Sequence, residues 1–250
     1  MRVAFAGKGG SGKSVIAGTV ARLLARQGRP VLALDVDTLP GLSFSIGAGS
    51  GSSEAGLPAD LAEKREGQGW VLKEEVSAED LVDRHARDAP DGIRFLQLGK
   101  LPGHVNPGSV VAFRHVLKAF RRPGWSIVGD LAAGTRQAFA GWASFATRVA
   151  LVVEPTAASR LTVKRLRQMA EAAPESVLGL VMNKVRDAGA ADDLAADVGL
   201  PVWALVPYDE DVARAERGGR ALVDAAERGP ALAAIDGLVE RLLAQPVEAT

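Results

Sequence analysis

Short, continuous apolar runs alternate with amphipathic segments along most of the chain. Continuous runs are typical of parallel strands covered on both faces, and they lie at residues 1–6, 31–35, 70–72, 93–98, 125–130, 149–153, 176–182 and 202–206. Apolar residues at helical spacing fall at residues 14–26, 78–85, 110–120, 159–171 and 232–243. This order predicts an α/β fold: a doubly wound, mostly parallel sheet with helices on both faces.

The pattern favours a single domain. A chain of 250 residues suits one large α/β domain, and no linker rich in proline and serine divides it. We therefore expect one domain over residues 1–250. Residues 47–56 are rich in glycine and serine, and a charged stretch follows through Glu66. We interpret residues 47–66 as a mobile loop with a charged, solvated insertion.

The junction between the first strand and the first helix carries Gly-Lys-Gly-Gly-Ser-Gly-Lys-Ser at residues 7–14. Such a glycine-rich loop turns backbone N–H groups toward phosphate oxygens, and the helix N-terminus that follows favours anions. Lys13 is expected to reach the β- and γ-phosphates of a nucleoside triphosphate, and the Ser14 hydroxyl to bind Mg²⁺. The predicted nucleotide-binding residues here are Gly7, Gly9, Gly10, Ser11, Gly12, Lys13, Ser14 and Val15.

Three carboxylates follow predicted strands, at the edge of the sheet where ligands bind in such folds. Asp130 ends one strand, and Asp35 and Asp37 leave another beside the phosphate loop. With Ser14, these three acids are the predicted Mg²⁺ ligands. Asp37 lies further into its loop, so we expect it to orient the attacking water. An acid after a strand is also typical of a simple cap, but three acids beside one phosphate loop favour the metal site.

Composition narrows the chemistry further. The chain has no cysteine, which excludes disulfides, cysteine-ligated nickel, zinc or iron–sulfur sites, and cysteine nucleophiles. Its formal net charge is zero, so no global field draws it to nucleic acid or to an anionic membrane. No signal-peptide pattern and no apolar run of membrane-spanning length occurs. Together with a nucleotide site, these features lead us to expect a cytoplasmic protein.

The motifs together resemble the deviant phosphate-loop ATPases, the family that includes MinD, ParA, the nitrogenase iron protein and CooC. The resemblance covers nearly all of the chain and is closest to the CooC branch. Lys8 is its most specific mark. The other marks are Leu34-Asp35-Val36-Asp37, Asp130-Leu131-Ala132-Ala133-Gly134, Asn183-Lys184 and Val206-Pro207-Tyr208-Asp209.

This resemblance implies roles for individual residues. Lys8 would reach across a dimer interface to the partner's phosphates, and Gly134 would lie in switch II near the γ-phosphate. Asn183, followed by Lys184, would read adenine, and the loop Pro207-Tyr208-Asp209 would close over the base. The implied cofactors are ATP or ADP and Mg²⁺, and the implied catalytic residues are Lys8, Lys13 and Asp37. The resemblance also implies an ATP-dependent homodimer with slow hydrolysis in the absence of a partner.

The identity of the partner stays open among three functions. The first is a molecular switch that engages a protein partner, as expected of CooC-like and MinD-like ATPases. CooC-type metal delivery uses a Cys-x-Cys pair that this chain lacks, and a single histidine nearby, His104, is more typical of a loop residue than of a ligand.

The second function is a ParA-like, DNA-associated partition ATPase, and the third is a membrane-associated ATPase. Two predicted helices carry basic residues that could contact DNA, although a solvated helix face explains them more simply. The last predicted helix has Asp236, Glu240 and Arg241 where a membrane-binding helix needs a basic face, so we expect no membrane binding. The basic residues are Arg114, Lys118, Arg121 and Arg122 on one helix, and Arg160, Lys164 and Arg167 on the other.

Overall fold

The computed structural model describes residues 1–37, 41–49, 56–99, 106–134, 140–171, 177–225 and 229–244. Its strands are β1 (Arg2–Gly7), β2 (Val31–Asp35), β3 (Ala62–Arg65), β4 (Gly69–Leu72), β5 (Arg87–Ala89), β6 (Ile93–Gln97), β7 (Ser126–Asp130), β8 (Arg148–Val153), β9 (Val177–Val185) and β10 (Val202–Pro207). Its helices are α1 (Lys13–Arg26), α2 (Leu42–Ser45), α3 (Ala78–His85), α4 (Pro107–Ala119), α5 (Ala157–Glu171), α6 (Ala188–Val198), α7 (Glu210–Arg217), α8 (Leu222–Ala225) and α9 (Pro230–Ala244).

Eight of these strands form one sheet in the order β10-β9-β8-β1-β7-β2-β6-β5. Neighbouring strands pair in parallel except β5, which runs antiparallel to β6. The predicted doubly wound, mostly parallel α/β fold is therefore confirmed. Strand β1 lies centrally, and the chain places β2 on one side of it and β8 on the other. The direction in which successive strands are added to the sheet therefore reverses at β1. In open parallel sheets, ligands bind at such a point, beyond the carboxyl ends of the strands.

Helices cover both faces of the sheet, which is why the central strands read as continuous apolar runs. Strands β1, β2, β7 and β8 are buried along almost their whole length. Apolar side chains of α3, α4, α5 and α6 pack on one face, and those of α1 and α9 pack on the other. A parallel sheet needs this cover because its strands expose apolar groups on both sides.

The segment 70–72 does form a strand, but it does not join the main sheet. β4 pairs with β3 in a separate antiparallel hairpin, in which Ala62 lies opposite Leu72 and Lys64 lies opposite Trp70. Leu72 at one end of the hairpin packs against the core, whereas Trp70 is 40% exposed. Residues 50–55 of the predicted loop lie outside the described residues, so the mobility of the segment 47–66 stays a prediction.

The last helix, α9, turns its apolar side chains into the core. Ala231, Ile235, Leu238, Val239 and Leu242 are all buried. Within the ranges that the structure describes, no helix is long and apolar enough to cross a membrane.

Candidate nucleotide and metal site

The phosphate loop connects β1 to α1 at the centre of the sheet. The carbonyl oxygen of Lys8 accepts hydrogen bonds from the Ser11 N–H at 3.2 Å and from the Lys13 Nζ at 3.4 Å. Gly10 and Gly12 have φ angles of 79° and 88°, a region that residues with side chains rarely adopt. The loop therefore depends on these glycines, and it leads directly into the N-terminus of α1.

Close packing also explains Gly7. A Cβ atom at this position would collide with the carbonyl oxygen of Val152 on β8. Glycine at the end of β1 lets the loop turn tightly against the neighbouring strand.

Two buried carboxylates lie side by side next to this loop. Asp35 ends β2 and Asp130 ends β7, and the two residues are paired in the parallel register of those strands. Asp35 is fully buried and Asp130 is 2% exposed. The backbone N–H groups of Asp37 and Leu42 donate to Asp35 at 3.0 and 3.3 Å. The strand register therefore brings the first two of the predicted acids together.

The pKa values of both acids are raised. Burial raises the pKa of Asp130 to about 6, although a hydrogen bond from Ser14 and the positive charge of Lys13 both act to lower it. Burial and the neighbouring charge of Asp130 raise the pKa of Asp35 well above its usual range. Desolvation and a neighbouring negative charge both destabilise a charged carboxylate, and a cation relieves this.

The residues present fit a hydrated magnesium ion. One oxygen of Asp130, Oδ1, is buried and has no hydrogen-bond partner among the described residues. Mg²⁺ in nucleotide sites takes one or two carboxylates, water molecules and phosphate oxygens. This suits the site, because no three histidine, aspartate or glutamate side chains in the described ranges converge into a cage of their own. Ser14 and Asp130 are the side chains best placed to hold the ion, directly or through water.

Asp37 lies two residues beyond the end of β2 and is partly buried. Its N–H group bonds to Asp35, which fixes the start of the loop that carries it. Gly134 follows β7 with a φ of 112°, and its N–H group donates to the Gly7 carbonyl at 3.3 Å. The segment after β7 therefore contacts the phosphate loop, whereas the start of the segment after β2 is held by Asp35.

The end of β9 contacts the phosphate loop from the opposite side. The Asn183 Nδ2 donates to the Ser11 carbonyl at 2.8 Å, and the Lys184 Nζ donates to the Gly10 carbonyl at 2.7 Å. Lys184 also forms an ion pair with Glu154 at 2.8 Å. Both side chains that the sequence links to the base thus touch the loop that binds phosphates.

The loop after β10 has a structural function. The Asp209 carboxylate accepts hydrogen bonds from the Asp211 N–H at 2.9 Å and from the Ala231 N–H at 3.1 Å, so it caps α7 and holds the start of α9. The Tyr208 N–H donates to the Val185 carbonyl at 3.0 Å, and the Arg186 guanidinium stacks 3.5 Å above the Tyr208 ring. These contacts place the loop Pro207-Tyr208-Asp209 beside the end of β9.

A cleft of about 440 Å³ opens next to the phosphate loop. The other walls of the cleft come from α2 and from the region of α7 and α8. No sequence motif predicted them. These walls combine apolar side chains with a few charged ones, as small-molecule sites usually do. The lining residues outside the phosphate loop include Gly41, Phe44, Val212, Ala215, Arg217 and Leu222.

Comparison with known proteins agrees with this geometry. The family model described as the CobQ/CobB/MinD/ParA nucleotide binding domain matches residues 3–223. The chain belongs to this family.

Relatives of similar length extend the likeness over nearly the whole chain. An uncharacterized ATP-binding protein of Methanocaldococcus jannaschii is 29% identical over 232 residues, covering 88% of this chain and 90% of that protein. The carbon monoxide dehydrogenase accessory protein CooC of Rhodospirillum rubrum is 26% identical over 266 residues, covering 97% of each chain. The resemblance to the MinD, ParA and CooC ATPases is thereby confirmed.

Solved structures share the fold. A ParA family ATPase from Chlorobium tepidum has a TM-score of 0.74 at 17% identity, covering 96% of this chain and 98% of that one. MinD of Aquifex aeolicus, in a MinC:MinD complex, has a TM-score of 0.71 at 17% identity and covers 100% and 98%. MinD of Pyrococcus horikoshii, complexed with Mg-ADP, has a TM-score of 0.67 at 18% identity and covers 96% and 94%. These structures show the same fold as this chain, in agreement with its membership of the CobQ/CobB/MinD/ParA nucleotide-binding family.

Proposed function

We propose that this protein is a Mg²⁺-dependent molecular switch that dimerises with ATP, engages a protein partner and releases it after hydrolysis. The observation that carries this proposal is the group of buried polar side chains at the start of α1. There the Ser14 hydroxyl donates to the Asp130 carboxylate, and the Lys13 charge lies close enough to lower the pKa of that carboxyl. Asp130 Oδ1 still lacks a partner among the described residues.

In this mechanism the phosphate loop binds and orients the triphosphate. Lys13 is buried, so its ammonium group lies in a low dielectric where its attraction to phosphate oxygens is strong. Mg²⁺, when bound, would neutralise phosphate charge beside Ser14 and Asp130. Asp37 would orient a water molecule toward the γ-phosphate.

Base selection falls to Asn183 in this proposal. Its amide nitrogen is used by the Ser11 carbonyl, which leaves the amide oxygen as an acceptor. The exocyclic amine of adenine donates to such an oxygen, whereas the corresponding oxygen of guanine repels it. We therefore expect ATP to be preferred over GTP, and Asn183→Ala to lose that preference.

Dimerisation is assigned to Lys8. Its carbonyl is held inside the loop by Ser11 and Lys13, but the residue itself is exposed at the rim of the phosphate loop. An exposed lysine here could add positive charge to the phosphates of a second subunit.

Light scattering tests this assignment directly. With Mg²⁺ and a non-hydrolysable ATP analogue, the wild-type mass should double relative to ADP, and Lys8→Ala should stay monomeric while it binds nucleotide. Lys64→Ala, which removes an exposed lysine from the β3–β4 hairpin, is the matched control. An identical monomer mass with ADP and with the analogue would refute the ATP-dependent dimer.

A protein partner is favoured over DNA because most of the basic residues that suggested DNA have partners within the chain. Arg122 pairs with Asp83 at 2.7 Å, and Lys164 pairs with Asp197 at 3.0 Å. Arg114 stacks over Trp142 at 4.6 Å. A MinD protein with a similar fold, from Aquifex aeolicus, has been solved in complex with the protein MinC.

The trapped state of the switch identifies the class of partner. Asp37→Ala should bind Mg²⁺ and ATP yet fail to hydrolyse, so a partner of the ATP state should accumulate on it and not on Lys13→Ala. We expect the retained material to be protein and to elute when ADP replaces ATP. Nuclease-sensitive material, whose retention falls steeply as salt rises, would favour the ParA-like alternative.

A further inference from the structure

Two consecutive residues of β9 bind two consecutive carbonyl groups of the phosphate loop. Asn183 Nδ2 reaches the Ser11 oxygen at 2.8 Å, and Lys184 Nζ reaches the Gly10 oxygen at 2.7 Å. In a regular strand, neighbouring side chains point to opposite faces of the sheet. A local change of the backbone is needed to bring both to one loop.

That change is present at Lys184, which has a φ of 56°. Asp91 is the other described non-glycine residue with a positive φ. A side chain makes this region unfavourable, and such strain is retained where the surrounding contacts require it. The contacts that Lys184 gains are the Gly10 carbonyl and the ion pair with Glu154 at 2.8 Å.

We propose that Lys184 is a positioning residue which, with Asn183, holds the phosphate loop in its anion-binding conformation. This inference rests on the proposed function, because it concerns the same phosphate site. It differs from the base-reading function that the family resemblance implies for the Asn183-Lys184 pair.

The geometry of the peptide group gives the mechanism. A carbonyl and the N–H that follows it point in opposite directions across one planar unit. When Asn183 holds the Ser11 carbonyl toward β9, the Gly12 N–H turns toward the cradle. When Lys184 holds the Gly10 carbonyl, it fixes the turn that the Ser11 N–H closes on the Lys8 carbonyl. Carbonyl dipoles that would repel phosphate are thus kept out of the site.

The charge of Lys184 is already balanced. Glu154 follows β8, the strand between β1 and β9, and its carboxylate pairs with the same ammonium that binds Gly10. The pair therefore ties the phosphate loop to the ends of both β8 and β9. A neutralised lysine acts through geometry more than through attraction to the nucleotide.

Inorganic tripolyphosphate with Mg²⁺ is the decisive probe, because it offers phosphates without a base. Lys184→Met keeps the length of the side chain and removes both polar contacts. Loss of a charge-assisted hydrogen bond corresponds to a roughly ten- to hundredfold change in an equilibrium constant. We expect the affinities for tripolyphosphate and for ATP to fall by the same factor within that range, as measured by calorimetry.

Two further variants separate positioning from loss of fold. Lys164→Met is the matched control, because Lys164 also pairs with a carboxylate and has a similar exposure, 49% against 41% for Lys184. It should leave both affinities unchanged. Lys184→Arg keeps the charge and the donors, so it should recover most of the lost affinity, with an unfolding temperature close to that of the wild type.

A base-reading lysine gives a different result. If Lys184→Met weakened ATP but bound tripolyphosphate like the wild type, the positioning function would be overturned while the proposed ATPase function stood. If the wild type bound neither ligand, the proposed function itself would fail, and this inference with it.

Discussion

The two ends of helix α1 treat buried polar groups in opposite ways. At its N-terminus, Ser11 Oγ and Asp130 Oδ1 are buried and have no hydrogen-bond partner within the described ranges. Toward its C-terminus, Arg22 is only 2% exposed, and its guanidinium bonds to Asp91 at 2.6 Å, to Asp224 at 2.8 Å and to the Ile46 carbonyl at 2.9 Å. Hydrogen bonding of the buried polar groups is therefore incomplete at the first end of α1 and saturated at the second.

This difference separates binding from architecture. A buried polar group without a partner costs free energy, so a ligand that supplies a partner is favoured there. The Arg22 contacts instead join α1 to the chain after α2, to the turn at Asp91 and to α8. Since α2 and α8 contribute Phe44 and Leu222 to the cleft, the saturated end holds the walls around the incomplete one.

Removal of Lys13 should have the largest effect on function. Lys13→Ala should weaken Mg-ATP binding by about 100-fold or more, because charge-assisted contacts to two phosphates are lost. Its one described hydrogen bond within the chain is the 3.4 Å contact with the Lys8 carbonyl, so the fold should survive. Calorimetric titration with ATP measures the loss, and retention of near wild-type affinity would contradict the assignment.

Removal of Arg22 should have the largest effect on stability. Arg22→Met should lower the free energy of unfolding by about 2–3 kcal/mol, because it breaks a buried network of hydrogen bonds and ion pairs. The loss should not be larger, because Asp91 and Asp224 are partly exposed and still form ion pairs with Arg26. Arg26→Met is the control, because its side chain is 42% exposed and contacts the same two acids. It should cost no more than about 1 kcal/mol in a urea titration. Equal losses would mean that burial does not distinguish the two arginines.

Asp91 should give a smaller, pH-dependent effect. Burial opposes ionisation of Asp91, but hydrogen bonds from Arg22 and Arg26 outweigh it and lower its pKa. The stabilisation is therefore present above the usual aspartate pKa and is lost as the pH falls through the lowered value. Asn tolerates the positive φ of this position, so Asp91→Asn is a suitable comparison.

At neutral pH the free energy of unfolding of the wild type should exceed that of Asp91→Asn by about 0.5–1 kcal/mol. The difference is small because the Asp91 carboxylate is partly exposed. That difference in stability should shrink in paired urea titrations as the pH falls below the usual aspartate pKa and through the lowered pKa of Asp91. A difference that stays constant with pH would exclude ionisation as its cause.

The sequence predicted those elements that short stretches of residues determine, namely the apolar strands and the glycine-rich phosphate loop. The strands from β1 to β10 that carry continuous apolar runs lie within a few residues of their predicted positions, and the phosphate loop lies where its glycines require. Helix α7 was missed because its sequence, EDVARAER, is mostly charged. Strand β5 was missed because an exposed edge segment, Arg87–Ala89, carries no apolar signal.

Long-range contacts gave no signal in the sequence. The Arg22 network joins residues that are 69 and 202 positions apart, so no spacing rule could find it. The positive φ of Lys184 is equally hidden, because the usual marker of that conformation is a glycine. The sequence identified both Asp35 and Asp130 as site residues, but their position opposite each other depends on the pairing of β2 with β7.

Asp130→Asn shows whether Mg-ATP supplies the hydrogen-bond and ionic partners that the N-terminal end of α1 lacks. Without ligand, the neutral amide replaces a buried carboxylate whose charge is unfavourable. At a pH above 7, the unfolding temperature of the variant should therefore be about 2–4 °C higher than that of the wild type. With saturating Mg-ATP the order should reverse, because the wild-type carboxylate holds the ion more tightly than the amide does. A variant that is no more stable without ligand, and that gains as much as the wild type from Mg-ATP, would contradict the account.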